Sequence, residues 1–355
     1  MSQPVPPFTP PPLIVGAWQL SEGHHANGPA GAEALDEFLE VIAYGVTTFD
    51  CADIYTGVEE LLGEVRRRTH QRMGSEVGRA LRFHTKLVPD RSALAHVDRG
   101  YVERIVDRSL TRLGVERLDL VQLAWWDYEV PGVEQVAGWL DEQRRAGKIE
   151  HVGATNFDVP HLERIVAADV PLVAHQVQYS PLDRRPERGM TAWAEAQDVR
   201  LLCYGTLAGG FLTDAWLGRP DPAAGGLAAA RALPNRSLTK YRLVIEELGG
   251  WDAFQSILDL LRRVADRHGA TLAQVALKWV LDRAESASVI VGMSRPHRIR
   301  ECQGALTLRT RAEDWMELEA LLQELGTLTG DCFGLEREAD SPHARIMRYD
   351  LNRVE

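Results

Sequence analysis

Lysine is scarce in this chain of 355 residues, which has four lysines against 36 arginines. Basic residues are outnumbered as a group, because 51 acidic side chains face 40 basic ones and the formal net charge is −11. This balance disfavours binding to nucleic acid or to an anionic membrane surface. We therefore expect a small-molecule substrate as the partner, with no nucleic acid and no membrane. The sequence leaves the oligomeric state unknown.

Long apolar runs and clustered cysteines are also missing. No run approaches the roughly 18 apolar residues of a membrane span, and the opening stretch MSQPVPPFTPPP lacks the basic start and apolar core of a signal peptide. We expect a cytoplasmic protein with a Pro-rich lead over residues 1–12. The cysteines have no metal-type spacing, so reduced thiols and no metal site are expected. They are Cys51, Cys203, Cys302 and Cys332.

No Gly-x-Gly-x-x-Gly fingerprint follows a predicted strand, which disfavours a Rossmann fold. Instead, short apolar runs alternate with amphipathic segments, and this alternation is typical of parallel βα units. We predict an α/β fold, a single-domain (β/α)8 TIM barrel over residues 13–325, followed by a C-terminal extension over 326–355. The predicted strands are 13–20, 47–50, 82–87, 118–125, 150–154, 172–178, 200–204 and 288–292.

Helical periodicity is clearest in two places. Apolar residues share one face over 101–113, before a glycine that ends the helix. The segment 254–282 reads as two helices that break near His268, the second with Thr271 as its N-cap. The stretch 205–250 is rich in Gly, Pro and Ala and too long for an ordinary turn, so it predicts a functional loop or lid. The tail with Phe333 and Tyr349 is a second candidate lid; surface packing is the alternative for both.

Three residues able to move a proton follow neighbouring predicted strands. Asp50 ends the strand 47–50, Tyr55 lies in the loop after it, and Lys86 ends the strand 82–87. The carboxyl ends of neighbouring strands meet at the same end of a barrel, so we expect these three side chains to lie close together. A tyrosine with a pKa of about 10 is a poor acid at neutral pH. A nearby ammonium stabilises its anion, and a carboxylate keeps that ammonium charged. Helix capping would explain Asp50 alone, packing would explain Tyr55, and a side chain that reaches the surface would explain Lys86, but these do not explain the combination.

The motifs around these residues resemble those of the aldo-keto reductase superfamily over about residues 13–308. GVTTFDCADIYTGVEELLGE and FHTKL place Asp50, Tyr55 and Lys86 at the family's catalytic positions. The resemblance implies an oxidoreductase in which Tyr55 donates a proton, Lys86 lowers its pKa and Asp50 holds Lys86. In DLVQLAWWD, Ala124 stands where the family has a histidine that orients the carbonyl oxygen. We expect slower reduction of simple carbonyls, by roughly a hundred- to ten-thousand-fold, and room for a bulkier substrate.

The same resemblance implies NADPH or NADP+ as the cofactor. Tyr204 would stack on the nicotinamide. Ser294 with Arg295 or Arg298, beside a helix N-terminus, offers charge-assisted donors suited to a 2′-phosphate, which favours NADPH over NADH. The other implied contacts are Thr155, Asn156 and Gln176 at the carboxamide, Gly205, Thr206, Leu207 and Gly209 at the pyrophosphate, Gly16 and Trp18, and Gly292, Glu301 and Cys302 at the adenosine phosphate, where Cys302 replaces the family's usual Asn.

The substrate pocket has aromatic and histidine candidates. The tryptophans could equally be core residues. His24 and His25, in the loop after the first strand, could replace the missing imidazole or be solvated. His84 is instead predicted to be a packed core residue. The candidates are Trp18, His24, His25, Trp125 and Trp126.

Two other functions stay open at this point. One is a regulatory protein that binds NADP(H) with little turnover, and the other is a non-redox cyclase or isomerase on the same barrel. Asp50, Tyr55 and Lys86 favour chemistry on a carbonyl, imine or activated alkene. Ala124 and Cys302 depart from the family pattern and keep the alternatives open.

Overall fold

Eight parallel strands form a closed barrel in chain order in the computed structural model, which describes residues 5–21, 32–283, 287–293 and 295–352. The predicted α/β barrel is thus confirmed. His24, His25 and Ser294 lie outside the described residues. The strands are β1 (Leu13–Gly16), β2 (Thr48–Asp50), β3 (Arg82–Leu87), β4 (Leu118–Leu123), β5 (Ile149–Thr155), β6 (Leu172–Gln178), β7 (Arg200–Tyr204) and β8 (Ala287–Gly292).

Amphipathic helices surround the barrel, as the βα alternation predicts. Within the described ranges, no helix is both long and apolar enough to cross a membrane. The α-helices are α1 (Ala32–Ala43), α2 (Val58–Met73), α3 (Ser75–Ala80), α4 (Arg99–Leu113), α5 (Val133–Arg145), α6 (Val159–Ala167), α7 (Met190–Ala196), α8 (Leu227–Arg231), α9 (Arg236–Glu247), α10 (Gly250–His268), α11 (Leu272–Arg283), α12 (Pro296–Gln303), α13 (Ala312–Leu325) and α14 (Gly334–Arg337).

The helix boundaries follow local capping chemistry. Helix α4 begins after Asp98, whose carboxylate accepts a hydrogen bond from the Tyr101 amide, and it ends at Gly114 in the left-handed conformation. Helices α10 and α11 are separated at Gly269, and the Thr271 hydroxyl accepts from the Gln274 amide as an N-cap. Both helical predictions are therefore confirmed.

The segment 205–250, predicted as a functional loop or lid, is partly helical. It contains helices α8 and α9, and α9 begins where the Asn235 side chain accepts a hydrogen bond from the Leu238 amide. Sequence periodicity missed α9 because its buried positions include Thr239, Tyr241 and Arg242, which are not apolar markers. The segment is thus a structured cover on the barrel.

The N-terminal lead closes the end of the barrel opposite the strand carboxyl ends. The Phe8 ring lies 5.6 Å from the His84 ring and 5.1 Å from the His151 ring. A ring nitrogen of His151 is 3.0 Å from the Pro6 carbonyl. Phe8 packs against a small apolar cluster inside the barrel, whose buried members are Ile14, Leu120, Ala174, Leu202 and Ile290.

His84 is buried in this interior, as predicted, and burial lowers its pKa from 6.5 to about 3. The unfolded chain therefore takes up a proton below pH 6.5, whereas the folded protein does not until about pH 3. This histidine should reduce the free energy of unfolding by about 2 kcal/mol between pH 7 and pH 5.

His84→Leu should remove that part of the pH dependence. Urea unfolding at pH 7, 6 and 5 measures it, with His96→Leu as the control because His96 is exposed. Equal slopes of stability against pH in wild type and His84→Leu would contradict the assignment.

Candidate active site

The carboxyl ends of the strands converge on one cavity of about 610 Å³. Parallel strands of a barrel all end at the same mouth, so residues far apart in sequence become neighbours there. The predicted site residues that line the cavity are Gly16, Trp18, Asp50, Tyr55, Lys86, Ala124, Trp125, Trp126, Thr155, Asn156, Gln176, Tyr204, Gly205, Thr206, Leu207, Gly209, Gly292, Arg298, Glu301 and Cys302.

Asp50 and Lys86 form a buried ion pair at the ends of β2 and β3. The Lys86 ammonium lies 2.6 Å from Asp50 Oδ1 and donates a second hydrogen bond, of 2.7 Å, to the Cys51 carbonyl. Burial disfavours the charged ammonium, but the nearby Asp50 carboxylate more than offsets this, and the pKa of Lys86 is raised. Lys86 therefore stays protonated within the cavity wall.

Tyr55 stands beside this pair on the loop after β2. The Lys86 ammonium is 5.3 Å from the centre of the Tyr55 ring, and the Trp18 ring is 4.8 Å away. Lys86 lowers the pKa of Tyr55 as expected, but burial raises it more, and the pKa rises to about 12. Tyr55 thus carries its proton at neutral pH.

Two glutamines hold the second oxygen of Asp50. The Gln176 amide group donates to Asp50 Oδ2 at 2.7 Å, and the Gln122 amide group does so at 3.2 Å. Sequence reasoning placed Gln176 at the cofactor carboxamide, whereas here its nitrogen is engaged by Asp50. Sequence reasoning missed Gln122. Because side chains alternate along a strand, Gln122 on β4 faces the same side as Ala124 two residues later, and this signal could have indicated it.

Ala124 follows β4 and is buried against the cavity, with two tryptophans after it. The Trp125 indole donates to the Val130 carbonyl at 3.0 Å, and the Trp126 indole donates to the Pro89 carbonyl at 2.8 Å. These bonds fix both rings as walls. The Ala124 side chain itself is a methyl group and carries no proton donor.

Tyr204 and Asn156 form a polar edge across the cavity. The Tyr204 hydroxyl donates to Asn156 Oδ1 at 2.8 Å. Asn156 has φ of 63°, a left-handed conformation that asparagine tolerates better than most residues. The Thr155 hydroxyl donates to the Gln176 carbonyl at 3.3 Å. Residues 155 and 156 are thus held by β6 and β7.

A glycine turn follows β7 on the wall of the cavity. Gly205 and Gly209 have φ of 69° and 66°. A Cβ on Gly205 would lie 2.1 Å from the Tyr241 hydroxyl, and one on Gly209 would lie 2.9 Å from the Tyr241 ring. Helix α9 therefore packs against the turn so closely that only glycine fits.

Gln19 is a further polar group on the cavity that sequence reasoning missed. Its Oε1 is buried and has no hydrogen-bond partner among the described residues. A Cβ on Gly292 would lie 2.0 Å from Gln19 Nε2. An unsatisfied buried acceptor beside bare backbone fits a ligand that supplies a donor, such as an amide or a ribose hydroxyl. This free acceptor is compatible with a dinucleotide bound in the cavity.

Helix α12 separates the two predicted phosphate-binding arginines. Arg298 lines the cavity with Glu301 and the buried Cys302. Arg295 does not: it is exposed, and its guanidinium forms an ion pair of 3.0 Å with Glu37 on α1. The helix start directs these two side chains to opposite sides, which corrects the expectation that either could face the cavity.

The C-terminal segment supplies the remaining wall. Phe333 lines the cavity, whereas Tyr349 lies behind it with its ring 5.3 Å from the Trp126 ring. Glu336 anchors the segment, because its carboxylate lies 3.2 Å from both Arg185 and Lys240. Burial alone would raise the pKa of Glu336, but the two cations have the larger, opposite effect and lower it to about 2. The other cavity-lining residues of this segment are Arg337, Ile346, Met347, Arg348 and Leu351.

Comparison with known proteins assigns the family. The model of the Aldo/keto reductase family matches residues 12–323, and the chain belongs to this family. It is an oxidoreductase of the type that uses a nicotinamide cofactor.

Individual relatives are distant but long in alignment. The chain is 28% identical over 293 residues to the NADP(+) aldo-keto reductase yakc of Schizosaccharomyces pombe, covering 81% of this chain and 82% of the relative. It is 25% identical over 313 residues to the NADH-specific methylglyoxal reductase of Escherichia coli, covering 84% and 91%. The glycerol dehydrogenase AKR11B4 from Gluconobacter oxydans has a similar fold, with a TM-score of 0.73, 20% identity and coverage of 92% and 97%.

Proposed function

We propose that this protein catalyses the NADPH-dependent reduction of a carbonyl group, with imines and activated alkenes as further candidate bonds, and that Tyr55 donates the proton. The observation that carries the proposal is the buried Asp50 and Lys86 ion pair beside a protonated Tyr55 at the mouth of the barrel. Family membership supports oxidoreduction and leaves the substrate and the proton donor to be tested.

Tyr55 is suited to donate a proton late in the reaction. The reduced carbonyl carbon takes a hydride, which the nicotinamide supplies when bound, and its oxygen then needs a proton. An alkoxide is a stronger base than a tyrosinate, so the transfer from Tyr55 is favourable even with a pKa of about 12. Lys86 stabilises the resulting tyrosinate, and Asp50 keeps Lys86 charged and in place.

The residues that would hold the cofactor lie around this group. Thr155 and Asn156 would orient the carboxamide, and the free Oε1 of Gln19, which lies beside Gly292 at the end of β8, would accept from a ribose hydroxyl. Tyr204 would stack on the ring. The backbone of 205–209, which lines the cavity and includes two glycines with positive φ, would take the pyrophosphate.

Replacing Tyr55 by Phe tests the proton donor. We expect kcat to fall roughly a hundred- to ten-thousand-fold, while NADPH binding stays unchanged because the ring is kept. NADPH oxidation is followed by absorbance with bulky aldehydes, ketones, enones and imines, and cofactor affinity by fluorescence.

The same assay decides between the proposed function and its alternatives. Cofactor binding with no oxidation on any substrate would favour a regulatory protein or a non-redox enzyme. Unchanged turnover in Tyr55→Phe would remove Tyr55 from its assigned role.

The preference for NADPH rests on Arg298, since Arg295 is paired with Glu37. A guanidinium is a strong partner for a 2′-phosphate. Arg298→Ala should raise KM for NADPH roughly tenfold to a hundredfold relative to KM for NADH. Arg295→Ala is the matched control from the same helix start and should change the ratio little. Equal loss for both cofactors in Arg298→Ala would mean that the arginine does not read the phosphate.

Ala124 decides how the carbonyl oxygen is held. The Ala124 side chain carries no donor, so Ala124→His should speed reduction of small aldehydes by roughly a hundredfold or more. Ala124→Leu is the control, because it fills the same space without a donor and should slow bulky substrates only. If Ala124→His leaves the rate of reduction of every carbonyl substrate unchanged, the explanation by a missing donor is wrong.

A further inference from the structure

The charge of the cavity is opposite to that of the chain. Against a formal net charge of −11, six cationic side chains line the described part of the cavity and three carboxylates do so. A cationic cleft in an acidic protein concentrates anions in that cleft. The cations are Lys86, Arg236, Lys240, Arg298, Arg337 and Arg348, and the carboxylates are Asp50, Asp214 and Glu301.

Most of these cations have a role on the cofactor side or an ion-pair partner. Lys86 is paired with Asp50, and Lys240 with Glu336. Arg298 stands on α12 at the proposed 2′-phosphate site. Arg236 lies at the start of α9, beside the glycine turn, and donates to the Ile346 carbonyl at 2.7 Å. Arg236 and Arg298 therefore account for charge near the phosphates of a dinucleotide, and carboxylates balance the charges of Lys86 and Lys240. Arg348, the sixth cation, is exposed.

Arg337 lies on the C-terminal segment, near Lys240, since both cations are within 5.4 Å of the centre of the Phe333 ring. Its Nη2 donates to the Trp125 carbonyl at 2.9 Å and to the Asn156 carbonyl at 2.8 Å. These carbonyls follow the ends of β4 and β5, and Trp125 is the residue next to Ala124. The guanidinium therefore sits beside the position where the family's histidine is missing.

The guanidinium is rigidly held but lacks a countercharge. It lies 4.0 Å from the Tyr128 ring and 5.3 Å from the Phe333 ring, which fixes its plane. Its acceptors are all neutral carbonyls, and Nη1 has only one long bond, 3.4 Å to the Phe333 carbonyl. In the described part of the chain no carboxylate forms an ion pair with it; the adjacent Glu336 is engaged by Arg185 and Lys240.

We propose that Arg337 binds a carboxylate on the substrate, so that the enzyme prefers carbonyl compounds that carry an acidic group, on an aromatic or similarly bulky skeleton. The inference rests on the proposed function. A half-buried cation without a countercharge gains most from an anion, which can accept from Nη1 and neutralise the site. Trp126 and Phe333 pack against each other, with ring centres 6.3 Å apart, and both line the cavity, so they give an apolar surface for the substrate's skeleton.

The test compares substrates that differ only in charge. The kcat/KM values are measured for the 2-, 3- and 4-carboxybenzaldehydes, for their methyl esters and for benzaldehyde. At least one acid should exceed its ester by roughly tenfold to a hundredfold, the range of a charge-assisted hydrogen bond. The isomer preferred reports the distance from the carbonyl carbon to Arg337. Equal values for acids and esters, or a stronger preference for 4-formylphenyl phosphate, would overturn the carboxylate assignment.

Variants separate recognition from structure. Arg337→Met should abolish the preference for acids over their esters, beyond any loss that acids and benzaldehyde share because the bonds to the Trp125 and Asn156 carbonyls are removed, and Arg337→Lys should retain part of the preference. Arg188→Met is the matched control, because Arg188 also donates to a backbone carbonyl of the C-terminal segment, at 2.7 Å from Gly330, but lies outside the cavity. A parallel loss on acids and on benzaldehyde in Arg337→Met would mean a purely structural role.

Binding provides a readout that does not depend on turnover. Calorimetry with benzoate and with benzamide, in the presence of NADP+, should show benzoate binding more tightly in wild type and equally in Arg337→Met. Selective benzoate binding without any carbonyl reduction would reject the proposed function and keep the anion site. Reduction of carbonyls without selective benzoate binding would do the reverse.

Discussion

The structure of the site depends on one buried ion pair, Asp50 with Lys86. Taking two charges out of water is costly unless each remaining hydrogen-bonding position is satisfied. Here the Cys51 carbonyl takes a second ammonium proton, and Gln122 and Gln176 donate to the second carboxylate oxygen. The pair and its partners come from four strands and the start of one loop. Only a closed barrel brings them within reach of one another, so the fold and the charge pair support each other.

Burial sets the acid strength of the neighbouring tyrosine. Lys86 alone would make Tyr55 a stronger acid, but the loss of water around the ring has the larger effect and moves the pKa to about 12. The same low dielectric constant also strengthens the other electrostatic interactions at this end of the barrel. The site thus favours holding a proton until a stronger base forms beside it, which suits reduction better than acid catalysis of an uncharged group.

Sequence reasoning found the elements whose signal is local. Asp50 and Lys86 could be predicted because they end apolar runs that read as adjacent strands, and the barrel follows from repeating that pattern. Gln19 and Arg337 could not, since their roles arise from contacts between segments distant in sequence, whereas the alternation of side chains along β4 could have indicated Gln122. The direction of Arg295 was equally hidden, because it depends on a carboxylate some 258 residues earlier, Glu37 on α1.

The C-terminal segment stands apart from the shared machinery in one respect. The family model ends at residue 323, while Phe333, Arg337 and Met347 on the cavity wall all come later. The ion pair and the glycine turn lie within the common portion. Residues that shape the substrate side of the cavity can therefore change separately from the ion pair and the glycine turn. Exchanging this tail between relatives has to preserve its contacts with the barrel, among them Glu336 with Arg185 and Lys240, Arg337 with the Trp125 and Asn156 carbonyls, and Asn352 with Asp53.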